Sequence, residues 1–231
     1  MKKIFCLFLL IFSLRQLDAT VIDLNQICQN KEHEVAEFYV TDKSDNSFDS
    51  YFFGEELSTW IYQATLLSSE GYFLVDKDSL ENTEQYIIHW KDINGSEYDL
   101  NAILVSEHPT KNVAIVKTDP PFGAQFPQPK LSFNCINKNE WVMVVINELS
   151  EGKCYFQLGK VIDVIQTTES DPEALYGIIG LQIRLGQTGC PVYDAQGEVV
   201  GFIHGSTENE LIALLPFSSI QTWIEDVIGV L

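Results

Sequence analysis

From Tyr51 onward, short β-rich runs recur at regular spacing along the chain. Thr59 to Ala64 and Tyr72 to Val75 are separated by Ser68-Ser69-Glu70-Gly71, a turn composition. Tyr86 to Trp90 leads into Asn94-Gly95, a hairpin signal, and Leu100 to Ser106 and Val113 to Lys117 follow. A Pro-rich break, from Pro120-Pro121 to Pro129, then divides the chain near its middle. Beyond it the pattern resumes at Trp141 to Ile146, Cys154 to Val164, Tyr176 to Ile183, Pro191 to Tyr193, Val199 to Ile203 and Leu211 to Leu215. Two sets of short strands around one linker predict an all-β fold. Its expected architecture is two packed six-stranded antiparallel β-barrels, over residues 51–125 and 126–231.

The flanks read differently. Ile220, Trp223, Ile224, Val227 and Ile228 make one apolar stripe at helical spacing. Ser218 and Gln221 before it fit a capping box, so a C-terminal α-helix lying on the core is expected. Residues 20–50 are acidic and weakly patterned, and are read as an irregular or helical lead-in. At the start, Lys2 and Lys3 precede an apolar run from Ile4 to Leu14, with Ala19 shortly after. That is the layout of a secretory signal over residues 1–19, and it predicts a secreted or periplasmic protein without stable membrane insertion.

Without residues 1–19 the chain keeps 11 basic and 32 acidic residues, a formal charge of −21. Such a surface repels nucleic acid and anionic membrane, and reads as a means of solubility or as a match for a basic protein partner. Four cysteines remain, Cys28, Cys135, Cys154 and Cys190. They permit two disulfides in any of three pairings, or free thiols. No P-loop, dinucleotide fingerprint or metal-ligand spacing is present, so neither a cofactor nor a metal is expected.

The most informative stretch is Gly186-Gln187-Thr188-Gly189-Cys190-Pro191, running on to Val199-Val200-Gly201-Phe202-Ile203-His204-Gly205. It resembles the nucleophile loop of trypsin-like serine proteases, in particular their HtrA/Deg and glutamyl-endopeptidase-like branches, where Gly-x-Ser-Gly-x-Pro precedes a hairpin. Upstream, Gly71-Tyr72-Phe73-Leu74-Val75-Asp76-Lys77-Asp78-Ser79-Leu80 resembles the family's Gly-Tyr-Ile-Leu-Thr-x-x-His-Val-Val segment. Asn112-Val113-Ala114-Ile115-Val116-Lys117 is similar to its Asp-Leu-Ala-Val-Leu-Lys strand. The order and the spacings, 34 residues from 78 to 112 and 76 from 112 to 188, suit the family, and the match covers residues 51–228.

The resemblance therefore assigns histidine, aspartate and serine positions that here hold Asp78, Asn112 and Thr188. It also implies that the amides of Gly186 and Thr188 form an oxyanion-hole-like pair. His204 takes the place of a histidine lining the pocket for an acidic or glutamine side chain. Proton transfer from a hydroxyl needs a base working near neutral pH. Aspartate ionises near 4, and asparagine cannot balance an imidazolium. In the serine-protease triad the Asp→Asn change alone lowers turnover about 10⁴-fold. Of the other histidines, His108, on the loop before Asn112, is the nearest rival base; His89 lies mid-strand and His33 precedes the barrels.

These residues imply a protease homologue that has lost hydrolysis and acts as a peptide-binding or regulatory module. The competing expectation is a divergent endopeptidase with Thr188 as nucleophile. The signal reading makes its own prediction: N-terminal sequencing of exported protein should start at Thr20, and recovery of intact Met1 in the secreted fraction would refute it.

Overall fold

A computed structural model describes residues 30–42, 59–80, 83–165, 175–184, 186–206 and 211–229. The signal segment, Cys28 and most of the acidic lead-in fall outside these residues. Twelve strands close into two six-stranded antiparallel barrels. The first barrel comprises β1 (Val35–Asp42), β2 (Thr59–Leu66), β3 (Tyr72–Asp76), β4 (Thr83–Lys91), β5 (Glu97–Glu107) and β6 (Val113–Lys117). The second comprises β7 (Trp141–Glu148), β8 (Lys153–Ile165), β9 (Leu175–Ile179), β10 (Pro191–Tyr193), β11 (Val199–Ser206) and β12 (Ile212–Pro216). A single helix, α1 (Gln221–Ile228), follows.

One expectation about boundaries is corrected. The first barrel begins at Val35, inside the segment read as a lead-in, because β1 pairs with β2 on one side and β4 on the other. Its acidic residues hid it. Glu37 is only 1% exposed although it carries a carboxylate, and its Oε2 accepts the Tyr39 hydroxyl at 2.6 Å.

Each barrel is filled by one face of its strands, while the opposite face of some strands fills the space between the barrels. On β3, Phe73 and Val75 point into the first barrel and Leu74 packs in the inter-barrel core. On β6, Ala114 and Val116 point inward and Val113 and Ile115 outward. On β7, Val142, Val144 and Ile146 fill the second barrel while Met143 and Val145 join the inter-barrel core. Strands buried on both faces carry apolar residues at consecutive positions, which is why these three read as unbroken apolar runs.

Helix α1 closes the inter-barrel core with Ile220 and Ile224, and Trp223, Val227 and Ile228 pack against the same cluster. The indole N–H of Trp223 donates to Ser106 Oγ on β5 at 3.1 Å, so the helix after the second barrel is tied to the first. The capping box is not formed. Residues Phe217–Ser219 make a 3-10 turn that draws Ser218 away from the cap, and Ile220 takes the N-cap position without a side-chain bond. Among the described residues no helix is long and apolar enough to cross a membrane.

The turn from β2 to β3 shows how tightly the first barrel is closed. Gly71 sits at φ +82°, donates to Ser68 C=O and accepts from Thr118 N–H. A Cβ there would lie 2.0 Å from Thr118 O and 2.9 Å from the Phe126 ring. Gly71→Ala should therefore lower the unfolding free energy by roughly 2–4 kcal/mol, combining backbone strain with overpacking. Urea unfolding of the two proteins would measure this, and a change under about 0.5 kcal/mol, the size of a surface substitution, would contradict it.

Candidate functional site

The landmark residues meet because β3 and β6 are neighbours. Asp76, the last residue of β3, pairs with Val113, the first of β6. Asp78 lies on the 3-10 turn Lys77–Leu80 after β3, and Asn112 lies just before β6. Asn112 Nδ2 donates to Asp78 Oδ2 at 2.7 Å and to Asp76 Oδ1 at 2.8 Å. In return, the Asp78 N–H donates to Asn112 Oδ1 at 2.9 Å and to Asp76 Oδ1 at 3.0 Å. The positions where the resemblance puts histidine and aspartate are thus directly bonded, through a neutral amide that bridges two carboxyl groups.

Thr188 is brought to the same seam by the second barrel. The turn Gly186 to Gly189 precedes β10 and packs on β2. Gln63 N–H donates to Thr188 C=O at 3.2 Å, and Thr65 Oγ1 donates to Gly189 C=O at 2.7 Å. From the other side Gly189 N–H donates to Ile203 C=O on β11 at 2.8 Å. Both glycines have positive φ, +85° and +93°, and Cβ atoms on them would lie 2.6 Å from Ile61 O and 2.0 Å from Gln63 O. Only glycine allows the turn to sit this close to β2. Between Ile61 and Gln63, the Tyr62 phenol has its pKa raised by burial and then by the charges of Asp76 and Asp78. One strand therefore borders both halves of the site.

His204 follows Ile203 at a bulge in β11, and its ring meets Phe202 edge-on at 6.0 Å. It stands at the Thr188 end of the second barrel. The other histidines are engaged elsewhere. His108 Nδ1 accepts the amides of Thr110 and Lys111, and its ring lies edge-on to Trp223 at 5.1 Å, toward α1. His89 pairs with Asp99 at 2.6 Å on the wall of the first barrel. His33 Nδ1 contacts Lys91 O at 3.2 Å. Cys135 and Cys190 carry free thiols, and burial pushes the Cys190 thiol well up. Among the described residues no three His, Cys, Asp or Glu converge as a metal-binding group.

Asp76 was not singled out by sequence, although it stands two residues before Asp78 in Val75-Asp76-Lys77-Asp78. It is 6% exposed. Burial pushes its carboxyl up to about 6 and the Asp78 charge adds to this, while the bonds from Asp78 N–H and Asn112 oppose it.

No family model matches this sequence, and no characterised protein matches it by sequence. Solved structures do match. A variant of the HtrA-type protease AlgW with a tripeptide superposes at TM-score 0.65 and 18% identity, over 85% of this chain and 60% of that one. The same protease with a decapeptide gives 0.63 and 20%, over 85% and 64%. Deg5 gives 0.67 and 12%, over 90% and 95%. This chain spans less than two thirds of the AlgW chains it matches.

Asp76 carries a pH prediction. Its folded pKa exceeds its ordinary value of 3.8, so the folded chain holds the proton more tightly than the unfolded one. The stability this confers is complete below about pH 4 and is lost as pH rises to about 6, amounting to roughly 2–3 kcal/mol. Asp76→Asn keeps Oδ1 as an acceptor and cannot titrate. The difference in unfolding free energy between wild type and variant should therefore fall across that window; parallel curves would refute the assignment. Two closed six-stranded barrels and these structural matches together give the chain the trypsin-like fold of the HtrA-type proteases.

Proposed function

We propose that this chain is an exported, non-cleaving relative of the trypsin-like proteases that binds a peptide or protein segment at the seam of its barrels. The carrying observation is the replacement at the base position. Where the resemblance calls for an imidazole held by a carboxylate, Asp78 is held by the Asn112 amide at 2.7 Å. An ionised carboxylate is too weak a base to take the proton of a neutral hydroxyl, whose pKa lies far above the working pH. His108, the nearest rival base, is turned toward Trp223.

Peptide recognition does not need that base. In β-strand addition the main chain of an extended peptide supplies the hydrogen bonds and pockets select the side chains. Beyond Ile203, whose N–H and C=O are taken by Cys190 and Gly189, β11 continues through His204, Gly205 and Ser206. On its other side this stretch pairs with β12. Its outer edge is the surface on which a peptide would be laid. The turn with Gly186 and Thr188 lies at the start of that edge, and His204 is the side chain placed to read an acidic or glutamine residue. The HtrA-type neighbours solved with a tripeptide and a decapeptide support a peptide ligand for this fold. The acidic composition favours a partner of basic overall charge.

The test is chemical. Purified protein should not hydrolyse a peptide mixture and should not react with a serine-directed fluorophosphonate probe. Thr188→Ser alone should leave both results unchanged, because it supplies a hydroxyl without a base. Robust cleavage by the wild type that disappears in Thr188→Ala would overturn the non-cleaving reading and establish Thr188 as a nucleophile.

A further inference from the structure

The geometry points to Gln187 as the positioning residue of the Thr188 turn, a role that deepens the peptide-binding reading and rests on it for its purpose. Gln187 is 4% exposed, so its amide has to find partners within the protein. Nε2 donates to Glu148 Oε1 and to the Tyr155 hydroxyl, both at 2.9 Å, while Oε1 accepts the Arg184 N–H at 2.9 Å. The Tyr155 hydroxyl in turn donates to Glu148 Oε1 at 3.1 Å. Three side chains therefore form a closed ring in which each donor has an acceptor. Glu148 ends β7 and Tyr155 lies near the start of β8, so the turn is pinned to a hairpin of its own barrel.

A second glutamine pins the approach to the turn on the same strand. Gln157 Oε1 accepts the Gln182 N–H at 2.7 Å, and its Nε2 donates to the Gln182 C=O at 2.9 Å, as a neighbouring strand would. The need for such anchors follows from the sequence of the turn. Gly186 and Gly189 have no side chains to hold, and their positive φ values are open to glycine alongside many others. The far half is fixed by the backbone bonds of Thr188 and Gly189 to Gln63 and Ile203. The near half is held by Gln187, through its side chain and through its N–H on the Arg184 C=O at 3.1 Å. Rotation about its backbone would swing the peptide unit that carries the Thr188 N–H, and with it the direction in which that amide meets a bound carbonyl.

The experiment reads amide hydrogen exchange at Gly186 to Gly189 in the ligand-free protein, so its outcome is independent of whether a peptide binds. Gln187→Ala should speed exchange in the turn about ten-fold or more while β7 and β8 keep their protection. Gln187→Glu should loosen the turn further, because it sets a second carboxylate against Glu148. Adding Glu148→Gln to that chain should restore protection, since the donor and acceptor have only changed places. Should Gln187→Ala not fold, Tyr155→Phe removes one of the three partners and should give a smaller acceleration confined to the turn. Unchanged exchange in the variant that folds, or loosening by Gln187→Glu that Glu148→Gln does not reverse, would overturn the assignment.

Discussion

Two closed barrels leave few free strand edges along their walls, so what they build together comes from turns and strand ends at the surface where they touch. Here β2 governs that surface. It holds the Thr188 turn through the Gln63 N–H and the Thr65 hydroxyl, its carbonyls at Ile61 and Gln63 exclude any side chain at Gly186 and Gly189, and Tyr62 between them borders Asp76 and Asp78. Gln63 further exchanges bonds with the backbone of Asn147 on β7, so the same strand docks both barrels.

One rule recurs among the polar residues along the seam: a buried donor such as Asn147 Nδ2, or an acceptor such as Glu34 Oε2, is met from a distant part of the chain. Asn147 Nδ2 donates to the carbonyls of Glu32 and Val35, fastening the segment before β1 against β7. Glu34 meets Lys31 at 2.6 Å and the Tyr193 hydroxyl at 3.3 Å, and burial raises its carboxyl pKa against the pull of Lys31. Buried polar pairs of this kind favour one arrangement of the two barrels, since sliding would leave charged or polar groups unmet.

At the acidic cluster the same rule explains the choice of residues. Two carboxyl groups cannot approach closely without a donor between them. The Asn112 amide supplies two N–H groups and accepts the Asp78 N–H on its oxygen. An aspartate at 112 would add a third carboxyl group to this set, and a histidine at 78 would lose its charged orienter with asparagine at 112. Asp78 and Asn112 are therefore matched to each other as a pair.

How much of this was legible in the chain depended on how local the signal was. Alternation along strands and the Pro-rich break between Pro120 and Pro129 pointed to two barrels, and the order of three landmarks pointed to 78, 112 and 188 as positions that meet. Those signals sit within a few residues or in simple linear order. β1 was missed because Glu37 interrupts its apolar pattern, and that carboxylate is tolerated only among partners provided by the folded barrel. Asp76 and Gln187 look like ordinary polar residues beside the landmarks. Their burial, the raised carboxyl of one and the three-way bonding of the other arise from neighbours 36 residues away at Asn112 and 39 residues away at Glu148. Sequence by itself determined the two-barrel, all-β architecture and most of its strands, because backbone periodicity is local. Only the tertiary structure decided which polar side chains are desolvated and what answers them, because that depends on contacts between parts of the chain that carry no mark of one another.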